Sequence, residues 1–236
     1  MPPIQLSHFT TIDFQDVRPQ LLFSERRDTK YLFHYKEALE ILNDLKDNYI
    51  IVLHGEQNSQ QYSTVYYDTD ELDFYKAHHN GHGNRKKMRI RTYEDGQAFL
   101  EWKQKTNKGI TQKQRTTTID AIPDDLIPQI EVRYNRITMY SKTFEEKLTF
   151  DFHLNFIRED ESIRIDEIVI AESKRAKNAS SVFMDSMKKR KILSTSFSKY
   201  CFGIASLHTS IKKNNFKQLI VQTNKLKNEY DISSNY

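Results

Sequence analysis

Arg85-Lys86-Lys87-Met88-Arg89-Ile90-Arg91-Thr92-Tyr93 is the stretch that decides the fold class. Read as a strand, it sends Arg85, Lys87, Arg89 and Arg91 to one side and Lys86, Met88, Ile90 and Thr92 to the other. The apolar middle of the second set marks the packed face, so the cationic face looks at water or at something strongly anionic. The pattern recurs downstream. Glu101, Lys103 and Lys105 alternate with Leu100 and Trp102, and after a turn at Gly109, Lys113 and Arg115 alternate with Gln112 and Gln114. From Arg85 to Arg115 ten Lys or Arg stand against three acidic residues, a local balance of +7 in a chain whose total is +4. Positive charge is therefore concentrated on a few strands.

Working outward, eight runs read as strands, at 25–34, 61–69, 85–93, 98–105, 111–119, 130–140, 146–157 and 163–174. The turn signals between them, such as Glu94-Asp95-Gly96 and Pro123-Asp124-Asp125, are too short for the helical crossovers that parallel strands require. The expected fold is mainly β (α+β): an eight-stranded antiparallel β-barrel tunnel with flanking and C-terminal helices. Closure follows from the charge pattern, because a closed barrel gathers the cationic faces around one axis. Such a lumen is unstable when empty unless carboxylates or a polyanion offset the repulsion. Helical periodicity marks Lys36 to Lys46, about 178–190, a segment after Ser198 and a Lys/Asn-rich tail carrying Phe216, Leu219, Ile220, Thr223 and Leu226. Asp231 to Tyr236 are expected to fray.

The 236 residues, 37% hydrophobic, suffice for one sizeable core, and with only six Gly and five Pro no linker divides them. A single domain over 1–236 is expected, with its motif-bearing core at about 25–203 and a helical tail at about 204–230. No apolar run reaches membrane-spanning or signal-peptide length, so a cytoplasmic protein without a transmembrane segment is expected. Cys201, the one cysteine, cannot form an internal disulfide and reads as a buried small side chain on a helix. His78, His79 and His82, with Gly81 and Gly83, read as a hairpin loop rather than a metal site. Tyr66, Tyr67, Phe74 and Tyr75 read as packing residues.

Taken as an ordered series, Arg26-x-Asp28-x-Lys30, Arg89-x-Arg91, Glu101-x-Lys103, Lys113-x-Arg115, Tyr134-x-Arg136, Lys147-x-Thr149-x-Asp151, Glu172-x-Lys174 and Ser198-Lys199-Tyr200 resemble the VTC domain. This is the polyphosphate-polymerase branch of the triphosphate tunnel metalloenzymes, relatives of the CYTH domain. The resemblance runs from about Glu25 to Gly203. It implies an ATP-dependent enzyme that transfers the terminal phosphate of ATP to a growing inorganic polyphosphate chain. By motif position it makes Lys30, Arg89, Arg91, Lys103, Lys113, Arg136, Lys147 and Lys199 the phosphate-contacting set. Arg26 and Lys174 are further cation candidates, and Glu172 would hold Mn²⁺ or Mg²⁺. Lys147 stands where the family commonly has arginine, which keeps the charge and loses the bidentate fork. Asp28, Glu101 and Asp151 read as charge-balancing carboxylates.

The expected partners are ATP and inorganic polyphosphate or a short phosphate primer, with no stable nucleic-acid complex; the sequence identifies no protein partner. Two alternatives stand beside the polymerase reading. One is a tripolyphosphatase or nucleoside triphosphatase using the same tunnel and metal; the other is a noncatalytic polyanion-binding module, which basic strands could serve through counterion release.

Overall fold

The computed structural model describes residues 4, 6–17, 26–108, 110–119 and 121–232. The expected turn residue Gly109, the motif residue Glu25 and the terminal positions 233–236 lie outside them. Eleven strands form one sheet: β1 (Thr10–Asp13), β2 (Arg26–His34), β3 (Tyr49–Leu53), β4 (Gln60–Asp68), β5 (Arg85–Tyr93), β6 (Ala98–Lys105), β7 (Thr111–Thr116), β8 (Ile127–Ser141), β9 (Glu146–Arg158), β10 (Glu161–Ile165) and β11 (Ile168–Ala176). Eight of them follow the order β2-β11-β9-β8-β4-β5-β6-β7, every neighbouring pair antiparallel. The short β1 lies parallel to β3, which joins β8, and β10 pairs with β9. The described residues also form five α-helices: α1 (Tyr35–Leu45), α2 (Asp73–His79), α3 (Val182–Lys189), α4 (Lys199–Leu207) and α5 (Lys217–Ile232).

The architecture departs from the expected barrel at one seam. Among the described residues no ladder joins β2 to β7, so their sheet has two edges and is not closed into a barrel. The strand at 163–174 is two strands, because Asp166 and Glu167 form a turn between β10 and β11. β1, β3 and α2 are additions to the expected set. His78 and His79 close α2, and the loop begins only at Asn80.

Alternation along single strands explains how one sheet carries both a core and a charged cavity. On β2, Tyr31 and Phe33 point to one side and pack with Ala38, Ile41 and Leu45 of α1 and Phe183 of α3. On the other side, Asp28 and Lys30 line a cavity while Leu32 joins the core around α4. β8 and β11 divide the same way. Arg136 and Glu172 line the cavity, whereas Val132 and Ile170 pack with Cys201, Ile204 and Ala205 of α4. Helix α4 thus fills the apolar half of this face, and the charged half is left to the cavity.

Candidate phosphate site

Register sets the charges of the cavity before any ligand is considered. Lys103 on β6 lies between Lys87 on β5 and Lys113 on β7, which makes a cross-strand row of three ammoniums. Like charges directly opposite one another destabilise a ladder. The next row holds Arg89, Glu101 and Arg115, with the carboxylate in the centre. Glu101 Oε2 is 2.5 Å from Arg89 Nε and 3.7 Å from Arg91 Nη2, and its Oε1 is 3.9 Å from Arg115 Nε. One carboxylate therefore orders three guanidinium groups. Burial alone would raise its pKa, but Arg89 and Arg91 hold it below the usual carboxylate range.

Across the cavity the logic repeats around Asp151, which is 2% exposed. It accepts a bidentate pair from Arg136, Nε at 2.5 Å and Nη2 at 2.8 Å, and a third bond from Lys199 Nζ. Burial opposes its charge, yet the two cations hold the carboxyl well below its ordinary range. On the adjoining strands, Glu172 pairs in register with Lys30 and lies 3.5 Å from Lys174 Nζ. Burial would push this carboxyl up, but Lys174, Lys30 and Arg136 bring it to about 2. It is ionised at neutral pH.

The lysines answer to the opposite balance. Lys30 Nζ donates to the Phe197 carbonyl at 2.7 Å and Lys87 Nζ to Ser198 Oγ at 2.9 Å. Burial lowers both to about 8, and nearby lysines add to the effect, Lys103 among them. Lys147 is also lowered to about 8, first by burial and then by Lys174 and Arg136.

These side chains bound one cavity of about 340 Å³. Its lining brings together Lys30, Arg89, Arg91, Lys103, Lys113, Arg136, Lys174, Lys199 and Glu172. Two residues singled out from sequence fall outside it. Arg26 pairs with Asp28 at 3.1 Å on the edge strand, and Lys147 stands beside Tyr140, 5.4 Å from the ring centre. Contributors not singled out as site residues include Lys87, Arg115, Tyr66 and Tyr134. Lys87 was available from the same alternation that marked Arg89. The tyrosines carry no such signal, since their role is to place rings beneath Arg89 and Arg136, 6.0 and 5.4 Å from the respective centres.

One buried donor is left without a partner. Arg91 is 8% exposed, and its buried Nε has no hydrogen-bond partner among the described residues. An orphaned guanidinium donor on a cavity wall costs free energy that an anionic oxygen would recover. For a hard cation, Glu172 offers an ionised carboxylate on that wall, although no group of three His, Cys, Asp or Glu side chains stands together among the described residues. Its donor chemistry suits an ion whose remaining ligands arrive as phosphate oxygens and water.

The histidines serve packing. His78 Nδ1 lies 3.1 Å from Cys201 Sγ, and His79 Nε2 accepts from Asn215 N–H at 3.3 Å, so α2 is tied to α4 and to the approach to α5. Burial raises the Cys201 thiol and lowers His78 to about 3, so both stay neutral.

Among solved structures, a Vibrio parahaemolyticus protein described as a candidate adenylate cyclase is similar at 13% identity and a TM-score of 0.48, over 75% of this chain and 95% of that one. No curated protein matches the chain. The model of the VTC domain matches residues 25–122 and 119–208, which takes in every strand of the cavity together with α4. The chain belongs to the VTC domain family, and with it to the phosphate-handling proteins of the triphosphate tunnel type.

Proposed function

We propose that this protein is a metal-dependent polyphosphate polymerase that moves the terminal phosphoryl group of ATP onto the end of an inorganic polyphosphate chain. The observation that carries this reading is the convergence of ten Lys and Arg side chains on one cavity holding only three carboxylates. Two of those carboxylates are explained as partners. Glu101 orders the arginines, and Asp28 pairs with Arg26. The excess positive charge matches a linear chain of phosphates.

The chemistry asks for alignment and charge stabilisation more than for a protein nucleophile. A terminal oxygen of the acceptor chain attacks the γ-phosphorus, the bond from that phosphorus to the β-bridging oxygen breaks, and ADP leaves while the chain grows by one phosphate. Arg91, and the guanidinium N–H groups of Arg89 and Arg136 that Glu101 and Asp151 do not engage, would meet equatorial oxygens, and Lys30, Lys103, Lys113 and Lys199 supply point charges along the chain. Arg26, Lys147 and Lys174 extend the cationic wall. Glu172 would hold Mn²⁺ or Mg²⁺, whose contribution when bound is to draw negative charge from the phosphate oxygens. An acceptor chain would approach between β2 and β7, the two ends of the strand order. No helix among the described residues is long and apolar enough to cross a membrane.

The test is to incubate the full chain with ATP and Mn²⁺ or Mg²⁺, with and without a short phosphate primer, and to size the products. Long chains formed with matching ADP release, and lost in Glu172→Ala, are expected. Free phosphate without chain growth would replace this reading with a triphosphatase.

A further inference from the structure

In the row Lys87, Lys103 and Lys113 the carboxylates make no close pairs: Glu172 and Asp28 act on Lys103, and Asp28 on Lys113, only at longer range. Among the described residues none of the three lies within ion-pair distance of an acid, whereas the neighbouring row has Glu101 at its centre. Lys87 is the member set farthest from the exposed edge strand β7, and it is held by Ser198 Oγ. Ser198 is also the N-cap of the nine-residue helix α4, accepting from Cys201 N–H at 3.3 Å. Both Ser198 and Lys199 line the cavity, so the positive end of the α4 dipole abuts the same space as Lys87 and Lys30.

A linear phosphate chain is not uniform along its length. Each internal phosphate carries one negative charge, while a terminal phosphate approaches two near neutral pH. The strongest concentration of unpaired positive charge therefore selects a chain end over a chain interior.

Resting on the phosphate-chain reading of the cavity, we infer that Lys87, with Lys30 and the N-terminus of α4, forms a subsite that recognises the free terminal phosphate of a linear phosphate ligand. Both a nucleotide donor and an inorganic chain present this group. Burial lowers Lys87 to about 8, which agrees with such a use, because a dianionic end holds the ammonium in its charged form.

Two ligand pairs test it by calorimetry on the full chain without divalent metal. Adenosine tetraphosphate has a free end that diadenosine tetraphosphate lacks, and linear tetraphosphate has ends that cyclic tetrametaphosphate lacks. The wild type should prefer the free-ended member by about tenfold or more, a difference of about 1.4 kcal/mol. Lys87→Gln should shrink that preference to about threefold or less, and Lys87→Arg should keep it. Lys174→Gln serves as the comparison, weakening both members of each pair while leaving their ratio. Loss confined to the nucleotide pair assigns the subsite to the donor, and loss confined to the inorganic pair assigns it to the polymer. An unchanged ratio in a Lys87→Gln protein that still binds overturns the inference, even if the cavity does bind phosphate chains. Failure of the wild type to bind any of the four overturns the cavity reading itself.

Discussion

Asp151 shows at the scale of one residue why the cavity can stay folded while empty. It is 3% exposed as a side chain and bonded to Arg136 and Lys199, so replacing it with Asn leaves two cations facing each other without their shared anion. Breaking such a buried pair from one side costs about 3–5 kcal/mol. Asp151→Asn should therefore lower unfolding free energy by about that amount in urea titration; a loss below about 1 kcal/mol would show the pair to be ordinary surface electrostatics. The sign with pH follows from the depressed carboxyl. Its stabilisation is present above the ordinary carboxylate range and lost as pH falls through it, and Asp151→Asn should lack that portion of the acid sensitivity. The sequence showed Asp151 as a balancing acid because it stands in a motif of alternating charges. It did not show that Lys199, forty-eight positions away, is the second partner. Tyr66 and Tyr134 were illegible as site residues for a related reason: a tyrosine on a strand looks the same whether it packs on a helix or supports a guanidinium.

Among elements, α4 controls how much of the sheet face remains free for ligand. Gly203 lets it approach closely, because a methyl group there would collide with Ile130 on β8 and Phe156 on β9. Gly203→Ala should cost about 1–3 kcal/mol by overpacking, opposed only slightly by better helix propensity. The same substitution should weaken tripolyphosphate binding, since a displaced α4 carries Ser198 and Lys199 away from the cavity. Thermal unfolding and calorimetry check the two parts separately, and a more stable variant would show the contact to be loose. The strands were legible wherever charged and apolar residues alternate, as in β5 to β7, because period two is a strong signal. They were less so where both faces are covered. Tyr49-Ile-Ile-Val-Leu53 is a continuous apolar run that pairs β1 on one side and β8 on the other. Helix α2 was hidden because its cap is nonlocal in character. Asp68, at the end of β4, accepts from the Phe74 and Tyr75 N–H groups at 2.9 Å, while Leu72 takes φ 59° to start the helix. The split between β10 and β11 has a signal in the sequence, since Asp166 and Glu167 are adjacent polar residues that interrupt the alternation where the chain turns.

For the whole molecule, a face of antiparallel strands carrying one sign of charge demanded enclosure, and the sheet supplies it by curling without sewing its edges together. Charge alternation reports which side of a strand faces the lumen but says nothing of whether β2 and β7 finally pair, so it does not decide barrel closure. The cost of that lumen has a pH signature. Lys30 and Lys87 in the cavity, and Lys147 just outside its lining, are lowered by burial first to about 8 in the folded chain, against about 10.5 when unfolded. Below about 8 all three are charged in both states, and the fold bears the full expense of housing them. As pH rises through about 8 the folded protein sheds protons that the unfolded chain keeps, so its stability should increase. A bound phosphate chain reverses the preference, favouring the charged lysines and drawing protons in. Affinity for tripolyphosphate should therefore fall over the interval in which the empty protein gains stability. Melting temperatures from about pH 7 to 9, measured on a Cys201→Ala background to remove the thiol of the unfolded chain, should rise without ligand while the increment added by tripolyphosphate shrinks. A flat profile in the empty protein, with a constant ligand increment, would mean that these lysines are solvated and that the cavity does not confine its charge.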